Sequence, residues 1–269
     1  MLSRLKQRKA VPSVPVHGPK AFAGMRRAGT ICAAVLDGIE AHVAAGITTA
    51  ELDDLCHELM RSMDATPAPL NYRGYPKATC ISLNEVVCHG IPDSRKLVSG
   101  DILNIDVTVI HDGWHGDSSR MYFVGTPSPQ ARRLCRVTFE AMWRGIRAAR
   151  PGGHLGDIGH AIQSYTESQG MSVVRNYCGH GIGQEFHTPP QVLHVGLPGK
   201  GLKLEAGMFL TVEPMINLGS GETTLLEDGW TVITTDGSLS AQFEHTIAIT
   251  EDGVEAFTLS PDGRHHPPW

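Results

Sequence analysis

Three carboxylates in this chain stand where strands would otherwise be apolar. Asp106 lies within ILNIDVTVI, Glu213 within MFLTVEPMI and Glu244 within AQFEHTIAI. A carboxylate in such a run loses hydration and needs a partner to compensate it. A fourth, Asp117, is brought near Asp106 by a hairpin. Asp112-Gly113, between two strand-like runs, predicts a two-residue turn. Counting outward from it sets His111 opposite Trp114 and Asp106 opposite Ser119, so that Asp117 is diagonal to Asp106 on the same face. A fifth group, His180 in CGHGIG, has flanking glycines that let the backbone bend and the imidazole project.

Each group alone has an ordinary explanation: a solvated hairpin face, an edge-exposed glutamate, a loop histidine. Together they form a set of four carboxylates and one imidazole. Four carboxylates in one cavity carry four negative charges, which two divalent ions neutralise and an ordinary core does not tolerate. Oxygen-rich ligation with a single nitrogen suits Mn²⁺, Fe²⁺, Co²⁺ or Zn²⁺. Two such ions about 3.5–4 Å apart can share a water, lower its pKa and polarise the carbonyl that it attacks. Hydrolysis is the natural reading.

The elements that must position these groups follow from periodicity. Pro19 opens a helix whose apolar positions Phe22, Met25, Cys32, Leu36, Ile39 and Val43 keep three-to-four spacing as far as Gly46. Thr48-Thr-Ala-Glu51 is a capping box for a second helix with Leu52, Leu55, Cys56, Leu59 and Met63 inward. A loop from Asn71 to Ala78, the strand-like TCISLNEVVCHGIPD and the hairpin come next. The second half repeats that order. Residues 130 to 149 form a helix broken by Pro151-Gly-Gly, and Leu155, Ile158, Ile162 and Tyr165 mark another, stopped by Gly170. The runs SVVRNY, MFLTVEPMI, GWTVITTDG and SAQFEHTIAIT then read as strands. The pattern predicts a duplicated α/β unit with helices packed on sheet.

Composition bounds the classes open to the chain. Its 269 residues are 41% hydrophobic with net charge −5, enough for a substantial core and far from a nucleic-acid binder. The first twenty residues are locally basic, through Arg4, Lys6, Arg8, Lys9 and Lys20. There is no signal-peptide core and no uninterrupted apolar stretch of membrane-spanning length. The expectation is a cytoplasmic protein without membrane partners or direct nucleic-acid recognition. The cysteines at 32, 56, 80, 88, 135 and 178 form no CxxC pair, so reduced thiols are expected, with Cys32, Cys56 and Cys135 packed on helix faces. Residues 1–18 read as a flexible basic, proline-containing arm, 19–260 as a single domain and 261–269 as a tail. Pro12-Ser-Val-Pro15 could dock as a PxxP element and the terminal HHPPW could scavenge metal, but an arm and a tail are the plainer readings.

The blocks NYRGYPKATCISLNEVVCHGIPD, LNIDVTVIHDGWHGDSS, NYCGHGIGQEFHTPPQVLH, FLTVEPM and DGWTVITTDGSLSAQFEHT closely resemble, in order and spacing, those of type I bacterial methionine aminopeptidases. The resemblance covers roughly residues 20 to 260. It implies the pita-bread fold, a pseudo-twofold α/β unit with antiparallel sheet, covering helices and a central dinuclear cleft. Asp106, Asp117, His180, Glu213 and Glu244 match the family's ligands for two divalent ions (Co, Fe, Mn or Zn), with Asp117 and Glu244 engaging both. His89 and His187 match the histidines flanking the scissile amide. Without the resemblance, either histidine reads as structural. Tyr72, Tyr75, Cys80, Phe186 and Trp230 match the methionine side-chain pocket, although each residue alone could be ordinary packing.

The activity implied is removal of the N-terminal methionine from nascent proteins by a metal-bridged hydroxide, with a small residue preferred next. Glu213 would move the proton, His187 would stabilise the oxyanion and His89 would contact the leaving amide nitrogen. A monomer with at most a transient ribosome contact is expected. Pro69, Arg73 and Gln184-Glu185 depart from common family residues, which bears on fine preference rather than on the reaction. Two rivals remain. A prolidase or Xaa-Pro aminopeptidase shares the ligands and usually carries a large N-terminal domain, for which twenty residues leave no room. A catalytically dead binding module typically loses ligands.

Overall fold

The computed structural model describes residues 14–263. The first thirteen residues, with the start of the proline-containing arm, and the C-terminal HHPPW lie outside the described residues. In chain order the elements are α1 (Pro19–Ile39), α2 (Thr49–Ser62), β1 (Thr66–Pro67), β2 (Cys80–Leu83), β3 (Val86–Cys88), β4 (Ile102–His111) and β5 (Trp114–Phe123). After them come α3 (Pro129–Ala148), α4 (Leu155–Ser168), β6 (Ser172–Val173), β7 (Gly179–Gly181), β8 (Thr188–Val192), β9 (Phe209–Val212) and β10 (Met215–Asn217). The last are β11 (Thr223–Leu225), β12 (Val232–Thr234), β13 (Ser240–Gln242), β14 (Glu244–Ile249) and β15 (Val254–Ala256).

A large antiparallel sheet runs β1-β4-β5-β14-β9-β7-β8, with β2 added on β4 and β15 on β14. Two three-stranded sheets, β13-β10-β6 and β11-β12-β3, flank it. α1 and α2 bury Leu36, Ile39, Leu52 and Met60 against Leu103, Ile105 and Val107 of β4. α3 and α4 bury Leu134, Met142, Ile158 and Ile162 against Leu210, Val212 and Ile247 of β9 and β14. Each helix pair thus covers one half of the sheet, as the repeated element order predicts. The helix starts follow from local chemistry. The Thr48 hydroxyl accepts the Glu51 N–H while the Glu51 side chain accepts from Thr48 N–H, closing the capping box. Ser128 caps α3 ahead of Pro129.

Several expectations are corrected. The first helix ends at Ile39 and continues only as a 3₁₀ turn, Glu40–His42, before Val43 turns extended. SVVRNY contributes only Ser172–Val173 to a strand. His180 belongs to strand β7 rather than to a free loop. The run MFLTVEPMI is two strands, because Pro214 has no N–H for a ladder and the chain leaves the large sheet at Glu213. SAQFEHTIAIT divides likewise at Phe243. The two breaks are paired: Val212 faces His245 in the large sheet and Met215 faces Gln242 in the small one. Glu213 and Glu244 therefore sit where a two-stranded ribbon passes from one sheet into the other.

Candidate metal centre and its cleft

The hairpin register is the one that the turn predicts. Asp112 and Gly113 both have positive φ, as the primed turn requires. His111 faces Trp114, Asp106 faces Ser119 and Thr108 faces Asp117. Asp106 and Asp117 are therefore diagonal neighbours on one face. β14 pairs Glu244 with Ser119 on the far side of β5, adding a third carboxylate to that face. β9 and β7 bring Glu213 and His180 from the other half. His180 Nε2 lies 3.5 Å from Asp117 Oδ2 and 3.7 Å from Glu213 Oε1. Ligand atoms of Asp117, His180 and Glu244 all lie within 4.8 Å of one another.

Side-chain orientation is set by three neighbours two residues from a carboxylate, the strand period that returns a residue to the same face. Thr108 Oγ1 donates to Asp117 Oδ1 at 2.7 Å, and Thr211 Oγ1 donates to Glu213 Oε1 at 2.7 Å. Gln242 Nε2 reaches Glu213 Oε2 at 3.3 Å. Thr211 also accepts the His180 N–H at 2.9 Å, which ties β7 to β9. These residues were not singled out from sequence. The signal available was their place at i±2 from Asp106, Glu213 and Glu244.

The electrostatics call for a cation. Burial, with the negative charges of Asp117 and Glu213 added, pushes Asp106 and Glu244 well above the ordinary carboxylate range. Burial raises Glu213 to about 7, with His180 opposing and Asp117 adding. Burial pulls His180 down, but its hydrogen bond to Asp117 and the Glu213 charge outweigh that and raise it. His180 Nδ1 is 3.0 Å from the Gly181 carbonyl, which can only accept, so a neutral ring carries its proton there and aims the Nε2 lone pair at two carboxylates. Four carboxylates and one imidazole, with no lysine or arginine among them, fit a divalent ion, and without one they must share protons.

All twelve residues singled out from sequence line one cleft of about 660 Å³. Beside the carboxylates, Tyr75 packs edge-on against Trp230 at 5.1 Å between ring centroids, and Tyr72 packs against Phe186 at 5.0 Å. Burial, then the Asp106 charge, pushes the Cys80 thiol well up, so it remains a neutral apolar wall. His89 projects from a left-handed backbone, φ 57°. Gly90 must follow it because a Cβ there would collide with the Ile81 carbonyl. Burial lowers the His89 pKa. His187 Nδ1 lies 3.0 Å from the Tyr72 hydroxyl and its ring 4.2 Å from that of His180. Burial, then the His180 charge, lowers His187 to about 3, so it is a neutral ring at physiological pH.

Comparison with known proteins agrees with the geometry. Residues 23–251 match the model of metallopeptidase family M24. A methionine aminopeptidase of Rickettsia prowazekii is 56% identical over 258 residues, which is 96% of this chain and the whole of that protein. Its crystal structure superposes with a TM-score of 0.91 at 57% identity, covering 92% of this chain and 100% of that one. A methionine aminopeptidase structure from Thermotoga maritima gives 0.89 at 40% identity over 91% and 99% of the two chains. A prolidase from Pyrococcus horikoshii shares the fold at TM-score 0.73 and 20% identity, covering 91% of this chain and 63% of that one. The architecture, a curled antiparallel sheet with helices over each half, is the pita-bread fold of these peptidases.

Proposed function

Because the chain belongs to metallopeptidase family M24, we propose that it removes the N-terminal methionine from peptides and nascent proteins, as a metal-dependent methionine aminopeptidase. The observation that carries this reading is the meeting in one cleft of an anionic ligand set and a pocket of aromatic rings and a thiol. Divalent metal use follows from the family and from the buried Asp117, His180 and Glu244 cluster. In our reading Asp106, Asp117, His180, Glu213 and Glu244 hold two ions of Co, Fe, Mn or Zn.

When bound, the ions act as a Lewis acid that lowers the pKa of a water and polarises the carbonyl under attack. Glu213 accepts the proton of that water and returns it to the leaving amine. Thr211 and Gln242 hold its two oxygens for the transfer. With the Tyr72 hydroxyl donating to Nδ1, the His187 ring keeps its proton on Nε2, from which it donates to the oxygen that gains negative charge. His89 contacts the amide nitrogen of the leaving residue. The unbranched thioether of methionine fits against Tyr72, Tyr75, Cys80, Phe186 and Trp230. A small second residue is preferred, as the likeness to methionine aminopeptidases suggests. In this reading residues 19–260 are one catalytic domain of a cytoplasmic monomer that meets nascent chains through a transient ribosome contact.

The test is release of free methionine from Met-Gly-Ser, beside Ala-Gly-Ser and Xaa-Pro peptides. Metal-stripped protein is titrated separately with Mn²⁺, Fe²⁺, Co²⁺ and Zn²⁺. Metal-dependent cleavage of the methionyl peptide alone is expected, falling at least about 100-fold in Glu213→Gln. No release with any metal, or preference for the Xaa-Pro peptides, overturns the reading.

A further inference from the structure

Glu213 is the only member of the proposed ligand set whose backbone lies outside a strand, and something other than the sheet must fix it. Its N–H leaves the ladder because β9 ends at Val212, and the next residue, Pro214, has no N–H to resume it. That N–H donates to Nε2 of His194 at 3.2 Å. His194 is 1% exposed and is held from behind. The segment Leu193–Val195 presses on α4 at Gly159, where a Cβ would come within 2.8 Å of the Leu193 carbonyl and closer still to that of Val195. A hydrogen bond thus runs from a clamped segment to the point where β9 breaks off.

The direction of that bond assigns the ring. Nε2 accepts from a backbone N–H, so the proton of a neutral ring is on Nδ1, and Nδ1 has no hydrogen-bond partner among the described residues. A residue present only to fill space would not carry a buried polar atom without a partner, since an apolar side chain fills the same volume without that cost. The acceptor on the other side of the ring accounts for the imidazole.

We propose that His194 is a positioning residue for the hydrolytic step: by accepting the Glu213 N–H at the break between β9 and β10, it fixes where the Glu213 carboxylate stands between Thr211 and Gln242. The inference rests on Glu213 acting as a ligand and proton carrier, as proposed above. His194 itself does not line the cleft.

His194→Gln and His194→Met separate the acceptor from the volume. The two side chains have the same length, and only glutamine offers an oxygen near the place of Nε2. kcat and KM for Met-Gly-Ser are measured with Mn²⁺, alongside Mn²⁺ binding to the metal-stripped proteins by calorimetry. For His194→Met, kcat is expected to fall about 30-fold with KM within about threefold, and Mn²⁺ affinity to fall about 10-fold. His194→Gln restores both to within about fivefold of wild type. Equal behaviour of the two variants, whether both active or both impaired, overturns the proposal. If His194→Met does not fold, the glutamine variant decides alone, and a loss of kcat beyond about 30-fold in folded protein overturns it. Should the wild type release no methionine, the functional reading fails, while the difference in Mn²⁺ affinity still decides the role of His194.

Discussion

The hydroxyl of Thr211 donates to Glu213 Oε1 at 2.7 Å while accepting the backbone N–H of His180, so one buried side chain spans two proposed ligands from different strands. Thr211→Val keeps the shape and removes both bonds. Leaving the His180 N–H unpaired costs about 1–3 kcal/mol of stability. The freed Glu213 carboxylate lowers Mn²⁺ affinity about 10- to 100-fold, and Thr211→Ser recovers most of it. Calorimetric titration of the metal-stripped proteins checks the affinities, and urea midpoints check the stability.

Without metal, the four carboxylates oppose one another, and Asp106 is among those that burial and the Asp117 charge push highest. Asp106→Asn replaces one charge by an amide that can donate to its neighbours. The metal-free protein is therefore expected to gain about 1–2 kcal/mol, a rise of a few degrees in thermal midpoint for a chain of this size. Mn²⁺ should raise the midpoint of the wild type and leave that of the variant almost unchanged. A metal-free variant less stable than wild type at pH 8 would show that repulsion is not what limits the empty centre.

Much of this was legible in the sequence, and the limits have physical reasons. The Asp112-Gly113 turn fixed the register that makes Asp106 and Asp117 diagonal, because a two-residue turn leaves no freedom to slip. The Thr48 capping box and the inward Leu52 and Cys56 were equally local, but the pattern set Met63 on that face where the fully buried methionine is Met60, Met63 being half-buried beyond the last turn of the helix. What periodicity could not give was the paired break at Pro214 and Phe243. Both runs read as continuous apolar strands, and the change of sheet is a tertiary event that sets Glu213 at a kink. His194 was quoted only inside a longer block, since its role depends on a contact across nineteen positions and on a backbone approach at Gly159. Thr108, Thr211 and Gln242 could have been found by looking two residues from each strand carboxylate.

The hairpin carrying Asp117 is held against α1 by small residues. At Gly116 a Cβ would come within 2.7 Å of Gly29 N and closer still to the Ala28 carbonyl, and at Gly24 it would strike the Trp114 ring. Gly116→Ala must push helix or strand aside, at a cost of about 1–3 kcal/mol, and it does so one residue from a proposed ligand. The expected result is a lower urea midpoint together with weaker Mn²⁺ binding. An unchanged midpoint would mean that α1 gives way freely.

Outside the proposed ligand set, His17 stacks on Phe209 with ring centroids 4.3 Å apart and meets Trp114 edge-on at 5.9 Å, while its backbone N–H donates to the Gly207 carbonyl. Burial lowers its pKa below the ordinary 6.5, so the folded protein prefers the neutral ring. Below pH 6.5 the unfolded chain takes up a proton that the folded one resists, so the unfolded state binds more protons and stability rises with pH across that window. The docking of residues 14–18 is therefore fully supported above pH 6.5 and loses support as pH falls below it. His17→Phe keeps the ring contacts and has no proton to gain. Thermal midpoints of wild type and His17→Phe at pH 7.5 and 5.5 isolate this group, because the carboxylates of the centre titrate alike in both. The wild type is expected to lose ground to the variant on acidification, and a difference that stays constant with pH would show that His17 is not the titrating contact.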